Sequence, residues 1–327
     1  MCKITTGNKN TQDKDENGLY PFYVRSQNIE RINSWTFDGE AILTAGDGVG
    51  VGKVFHYSIG KIGVHQRVYI LSNFKCDGKY LYQYFSSRFY NRVKRMSAKN
   101  SVDSVRMEMI ADMPLYLPSV GEQHKIGKLL ALLDERISTQ NKIIEKLQSL
   151  IKGIAQNIVL RNKPNVRISQ CLECISSTLQ ESDVLEYGAY PVYGANGVVG
   201  FLDNYNTSNE AIYIIKDGSG VGAVSYVAGK CSATGTLNIL QAKKGFSLRY
   251  LYYLLNIFNF EPYKTGMAIP HIYFKDYGKA QIFCPSYSEQ LKYAKFLATI
   301  DDKLLTEQNV LINLSLQKQY LLRQMFI

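Results

Sequence analysis

The chain has 327 residues, 46% of them apolar, which is enough for two domains with cores of their own. Lys and Arg number 38 against 28 Asp and Glu, so the net charge of +10 favours a polyanionic partner, either nucleic acid or an acidic membrane surface. No apolar stretch approaches the ~18 residues of a membrane span, no apolar signal core follows Met1, and six scattered cysteines suit reduced thiols; the expectation is a cytoplasmic protein with no membrane association, not a secreted or disulfide-framed one.

Residues 1–117 are rich in Gly, Tyr and short β-branched runs such as Val68 to Leu71, which read as strands and turns, with one clear helix over Lys79–Lys94. Gly46 to Val54 superficially suggests a phosphate loop, but a P-loop needs Gly five residues before its Gly-Lys pair and Ser or Thr after it. Asp47 and Val54 stand there instead. A Gly-rich turn between strands is the better reading, and such a turn lets main-chain N–H groups, with Lys53 beside them, approach a DNA phosphate. Gln66 and Arg67 are candidates for reading base edges, because Arg, Lys, Asn and Gln pair bidentately there. Between Lys79 and Val102 lie Arg88, Arg92, Lys94, Arg95 and Lys99 with no acid. Arg88, Arg92 and Arg95 share one helical face, either a solvated face or one that grips phosphate.

Pro118 opens a helix over 118–160. Ile126, Leu130, Leu133, Ile137, Gln140, Ile144, Leu147, Ile151, Ile154 and Ile158 step along it by four and three, the apolar stripe of coiled-coil pairing. In residues 161–284, Cys171 and Cys174 form a C-x-x-C without the second ligand pair a zinc site wants, so packed thiols are expected and no metal. Ala211 to Ile215 reads as a strand, Asp217 to Val224 as a second Gly-rich turn carrying Ser219, and Ser247 to Phe258 as a helix. Asn196, Lys264 and His271 are the base-contact candidates of this half. Pro285 opens the last helix, 285–327, whose stripe is Tyr293, Leu297, Ile300, Leu304, Glu307, Leu311, Leu314, Lys318, Leu321 and Met325. Gln140, Glu307 and Lys318 interrupt the stripes; they are tolerated at splayed positions or fix register.

The two halves are copies. Tyr20-Pro21-Phe22-Tyr23 recurs as Tyr190-Pro191-Val192-Tyr193, Asp47-Gly48 as Asp217-Gly218, and Tyr80-Leu81-Tyr82 as Tyr250-Leu251-Tyr252, all at an offset of 170. Pro118, Glu122-Gln123 and Asp134 recur at an offset of 167 as Pro285, Glu289-Gln290 and Asp301. The counterpart of Val166-Arg167-Ile168 would precede Met1, so the first copy is expected to lack an opening strand or turn.

Two Tyr/Gly-rich α/β domains, each followed by a long helix that opens Pro-x-x-x-Glu-Gln and carries Leu133-Asp134 or Ile300-Asp301, resemble the specificity subunit of type I restriction-modification systems. Tyr190 to Gly197 and Gly266 to Ile272 resemble segments of one target-recognition-domain class. The resemblance covers essentially the whole chain. It implies two tandem α/β target-recognition domains separated by two long antiparallel coiled-coil helices, with internal pseudo-twofold symmetry. It further implies a non-catalytic subunit, without cofactor, that reads a bipartite double-stranded DNA target. Two methyltransferase subunits would dock on the helices and motor-nuclease restriction subunits would join through the complex. The residues agree on chemistry: the chain has no Pro-Pro for an amino-methyltransferase loop, no Glu-x-Lys, and no grouping of its four histidines. Two other readings stay open, the recognition portion of a fused restriction-methylation enzyme and a coiled-coil scaffold that binds no DNA.

Overall fold

A computed structural model of the chain describes residues 1–96, 104–218, 220–266 and 269–326. Two compact units result, Met1–Gln140 with Val310–Ile327 (unit 1) and Asn141–Asn309 (unit 2). The sequence reading set each long helix apart as a separate segment. The units instead cut across both helices, because each α/β domain packs on the start of one helix and the end of the other.

Unit 1 begins with β1 (Lys3–Thr6), β2 (Tyr20–Tyr23), β3 (Ile29–Ile32), β4 (Phe37–Ala45), β5 (Phe55–Val64) and β6 (Val68–Ser72), followed by α1 (Gly78–Met96) and α2 (Met107–Ala111). The strands form one sheet in the order β1-β6-β4-β5-β2-β3. Side chains alternate across a strand, so Ile42 of β4 points with Phe55 and Leu71 to one face, while Ala41 and Leu43 point with Tyr23, Val64 and Ile70 to the other. The first face is covered by Leu81, Phe85, Phe89 and Val93 of α1, at four-residue spacing. The adjoining side of α1 carries Tyr80 and Tyr84 onto α3 (Val120–Leu160), whose first half lies in unit 1.

Unit 2 contains β7 (Val166–Arg167), α4 (Ile168–Cys171), β8 (Leu172–Ser176), β9 (Tyr190–Gly194), β10 (Gly197–Leu202), β11 (Glu210–Ile215), β12 (Val224–Ala228), β13 (Ser232–Ala233), β14 (Leu237–Ala242), α5 (Leu248–Leu255), α6 (Phe274–Tyr277), β15 (Gln281–Ile282) and the start of α7 (Tyr287–Met325). Its sheet order β12-β11-β14-β8 repeats β5-β4-β6-β1 of unit 1. Where β5 runs unbroken through Gly60 (φ +96°), unit 2 divides the strand into β12 and β13 at Gly229 (φ +87°). β7 pairs with β15. The equivalent of β15 in unit 1, Pro114-Leu115, belongs to no strand. Of the C-x-x-C, both cysteines belong to the unit 2 core: Cys171 Sγ lies 3.9 Å from Cys284 Sγ, and burial pushes the Cys174 thiol up to about 11. All six thiols are free.

The Pro-x-x-x-Glu-Gln motif now has a physical reading. Ser119 caps α3: its backbone N–H donates to Glu122 Oε2 (3.0 Å) and Glu122 N–H donates to Ser119 Oγ (3.4 Å), a reciprocal capping box. Gln123, 3% exposed, accepts from the Asp77 backbone N–H (3.1 Å) and donates to the Pro118 carbonyl (2.8 Å). Asp77 in turn caps α1 through the Tyr80 N–H (2.9 Å). Unit 2 repeats this with Ser286 and Glu289, and with Gln290 accepting from Ser247 N–H and donating to the Pro285 carbonyl, both at 2.9 Å. The buried glutamine therefore ties the cap of the domain helix to the start of the long helix.

All twenty seam positions are buried or half-buried, with Leu130, Gln140, Ile144, Ile158, Leu297 and Leu304 the deepest and Ile126, Leu133, Ile137, Leu147, Ile300, Leu311, Leu314 and Leu321 half-buried. Within unit 1, Ile126 and Leu130 of α3 pack with Leu321, Met325 and Phe326 of the α7 end, and Asp134 pairs with Lys318. Residues ascend along α3 as they descend along α7, so the helices are antiparallel there. Within unit 2, Ile154 and Ile158 share a core with Tyr293 and Ala294. Lys318 is thus not a splayed interruption: it meets Asp134, which also accepts from Gln83 Nε2. In unit 2, Asp301 accepts instead from Arg249 Nη2 (3.0 Å) and Tyr253 Oη (3.2 Å). The same aspartate joins domain to helix through different donors. Among the described residues, no helix is long and apolar enough to cross a membrane.

Candidate nucleic-acid interface

The Gly-rich turns are built for packing. Gly52 and Gly222 have positive φ (+66° and +90°), and a Cβ at either would meet the Tyr90 ring at 2.9 Å or Phe260 Cβ at 3.1 Å. Their main-chain donors are used internally: Val51 donates to Gly48 O and Val54 to Gly50 O, while Val221 donates to Gly218 O and Gly222 to Ile215 O. The amides so bonded are not available to a phosphate. Lys53 places its ammonium 5.7 Å from the centre of the Tyr90 ring. Ser219 lies outside the described residues.

The basic face of α1 divides by role. Arg92 donates through Nε to the Met109 carbonyl and through Nη2 to the Asp112 carbonyl, both at 2.8 Å. It satisfies the C-terminal carbonyls of α2 and is a structural cation. Arg88 stands over the Tyr84 ring (5.5 Å), and Arg95 is exposed. With Tyr116 and Arg323 these arginines line a cavity of about 560 Å³ on unit 1, a surface that suits an anion. Lys99 lies outside the described residues.

A second cavity of about 560 Å³ in unit 1 has different chemistry. It is polar throughout and lined by Asn10, Thr11, Arg25, Asp47, Gln66 and Arg67, with His65 beneath. The β5–β6 turn positions Gln66 and Arg67. His65 N–H donates to Tyr23 O (3.0 Å), Gln66 N–H to Lys9 O (2.8 Å), and Val68 N–H to His65 O (2.9 Å). The Arg67 N–H donates to His65 Nδ1 (3.0 Å), leaving the ring proton on Nε2, toward Thr11 Oγ1. Burial, and then the Arg25 charge, hold the His65 pKa below the ordinary imidazole value, so the ring is a neutral strut. Asp47 gathers the two guanidiniums, Arg25 Nη1 at 2.8 Å and Arg67 Nη1 at 3.5 Å. Gln66 Nε2 donates to Asn10 Oδ1 (2.6 Å).

Unit 2 repeats the frame and changes what it displays. Thr234 N–H donates to Tyr193 O (2.9 Å), Gly235 N–H to Leu179 O (2.7 Å), and Leu237 N–H to Thr234 O (3.2 Å). Gly235 and Thr236 therefore stand where Gln66 and Arg67 stand in unit 1. Asp217, the equivalent of Asp47, accepts from His271 Nδ1 at 2.6 Å. His271 sits opposite Asp217 in a β-bridge, as Ser104 sits opposite Asp47. Lys264 is engaged by Glu261 (2.6 Å), and Asn196 is exposed at the tip of the β9–β10 hairpin. Sequence reasoning named Gln66, Arg67 and His271 but missed Arg25, Asp47 and His65. Asp47 and Asp217 carried a signal, their recurrence at one offset, and were read as turn residues only. Among the described residues, no group of three or more His, Cys, Asp or Glu is placed to hold a metal.

Comparison with known proteins bears on the fold and the family. A model of the type I restriction modification DNA specificity domain matches residues 1–149 and 166–314. The EcoDI type I restriction enzyme specificity subunit of Escherichia coli is 26% identical over 159 residues, 49% of this chain and 35% of that subunit, so the match spans about a third of the relative's length. A provisionally named type I specificity subunit of Mycoplasma genitalium is 22% identical over 282 residues, 79% of this chain and 73% of the relative. The crystal structure of an S subunit of a type I restriction-modification system from M. genitalium matches in fold with a TM-score of 0.75 at 18% identity, covering 100% of this chain and 94% of that one.

Proposed function

This chain belongs to the type I restriction modification DNA specificity family, and on that premise we propose that it is the sequence-reading subunit of a restriction-modification complex. Each unit reads one half of a bipartite double-stranded DNA target. Methylation and cleavage belong to partner subunits, two methyltransferase subunits held on the chain and motor-nuclease subunits that join them. One observation carries the reading: two copies of a single main-chain frame display different groups at the same turn, the long polar side chains of Gln66 and Arg67 against Gly235 and the short hydroxyl of Thr236. A duplicated enzyme or a scaffold has no use for that contrast, whereas a reader of two unlike half-sites requires it. The positive balance, +10 overall, supplies the sequence-independent attraction to phosphate.

The test is co-expression with the cognate methyltransferase subunit. The chain should copurify with it at one to two, and methylome sequencing should show a two-part motif that disappears when the gene is deleted. A monomeric chain that methylates DNA unaided, or a methylome indifferent to its deletion, overturns the proposal.

A further inference from the structure

The polar cavity of unit 1 differs from the arginine cavity beside α1 in a way that bears on which part of DNA each meets. Around α1 the cations stand without an acid in the cavity lining, and a phosphate would be welcome. In the polar cavity a carboxylate stands between the two guanidiniums, and the other lining groups are neutral amides, a hydroxyl and a neutral imidazole. A phosphate brought there meets the Asp47 charge, with the Asp47 side chain still 27% exposed. A neutral base edge does not. The lining mixes donors and acceptors of the kinds that pair with base edges, and its carboxylate offsets one of the two cations that a backbone anion would seek.

Resting on the reading of this chain as a DNA reader, we propose that Arg67 reads a guanine in the half-site taken by unit 1 and that Asp47 is its positioning residue. The Arg67 side chain is 63% exposed, yet it is rooted at both ends. Its backbone N–H is fixed on His65 Nδ1, and its Nη1 lies 3.5 Å from Asp47 Oδ2. A guanidinium has five N–H donors, so Nε and Nη2 remain available for the paired acceptors of guanine, O6 and N7. Bracing reduces the conformational freedom given up on binding and fixes the plane of the fork, which discriminates between base pairs where a mobile cation would not. Arg25, held closer to Asp47 at 2.8 Å, fixes the carboxylate from the other side. Unit 2 lacks the device: Ala195 occupies the place of Arg25 and Thr236 that of Arg67, while Asp217 is taken by His271. The guanine contact is therefore specific to one half-site.

The experiment uses the chain in complex with its cognate methyltransferase subunits. Binding is selected on DNA libraries randomised in one half-site at a time, and methylomes of cells carrying each variant are sequenced. The wild-type complex must first select a two-part motif; if it selects none, the DNA-reading proposal fails and the role of Arg67 falls with it. Given that motif, Arg67→Gln and Arg67→Lys should both relax one guanine in one half-site, by roughly 5- to 150-fold, the range of a bidentate contact. The other half-site should be unchanged. Asp47→Asn should weaken preference at the same base pair and no other. Thermal melting of each variant checks folding, and selection by the purified complex gives the base preference even where methylation in cells is lost. A half-site for unit 1 without guanine overturns the proposal, as does a motif unmoved by Arg67→Gln. So does a uniform loss on specific and random DNA that Arg67→Lys restores, since that marks a phosphate contact.

Discussion

Replacing Gln290 by Ala removes two hydrogen bonds from a side chain that is 2% exposed. The Ser247 N–H and the Pro285 carbonyl each lose their partner at 2.9 Å. Ser247 is itself buried and caps α5, so its N–H has no water to turn to. An unpaired buried polar group costs ~1–3 kcal/mol; with the carbonyl only partly buried, the sum for unit 2 is about 2–4 kcal/mol. Hydrogen exchange with mass spectrometry is the appropriate assay, because a two-unit chain need not unfold in one step. Peptides covering 247–255 and 286–297 should exchange at least about 30-fold faster, the equivalent of ~2 kcal/mol, while peptides of unit 1 keep their rates. Gln290→Glu sharpens the test. The introduced carboxyl can still accept from Ser247 but faces the Pro285 carbonyl, so burial and that oxygen raise its folded-state pKa above the unfolded value. The folded state then holds the proton more tightly, so the deficit against wild type is smallest at acid pH and grows as pH rises through the folded pKa. If Gln290→Ala left protection in both segments unchanged, the glutamine would not be a latch, and the physical reading of the Pro-x-x-x-Glu-Gln motif would fail.

The roles assigned to the α1 arginines separate under salt. Arg88→Gln with Arg95→Gln should flatten the slope of log K against log salt for any DNA by about 0.9 for each phosphate no longer neutralised, whereas Arg92→Gln should lower thermal stability by loosening α2 and leave that slope alone. A double-mutant cycle of Lys318→Met with Asp134→Asn should give a coupling of about 1 kcal/mol that shrinks in high salt, because the two side chains are 22% and 36% exposed and the pair is screened; a coupling of zero at low salt refutes the register role. Glu289 is held below the usual carboxylate range by its bonds from the Ser286 hydroxyl and backbone N–H, so its capping contribution is present above the unfolded pKa and lost as pH falls through the folded one. Ser286→Ala should raise that pKa in an NMR titration, and an unmoved value would exclude the box.

What could be read in advance was whatever repeats along the chain. The four-three stripe is a property of neighbours three and four apart, so all twenty of its positions were legible, and so was the duplication. Contacts made by sheet pairing were not. Arg25, Asp47 and Arg67 converge only because β2 runs parallel to one end of β5 and β6 returns beside β4; nothing local in the chain announces that an aspartate in a glycine turn will gather two distant arginines. The internal role of Arg92 was hidden for a related reason. Its helical spacing with Arg88 and Arg95 was right, but helix position alone does not reveal that α2 folds back and presents two carbonyls to it. Lys318 was legible as an interruption but not as the partner of Asp134. The two turns show why this split matters. The same main-chain bonds shape both, at 65–68 and at 234–237. On that shared frame Gln66, Arg67 and Thr236 add side-chain contacts of their own, to Asn10, Asp47 and Thr234, and Gly235 adds none. Because the main-chain bonds recur beneath different tip residues, a duplicated copy of the frame can carry a second set of reading groups while the core and the helix joints stay as they were.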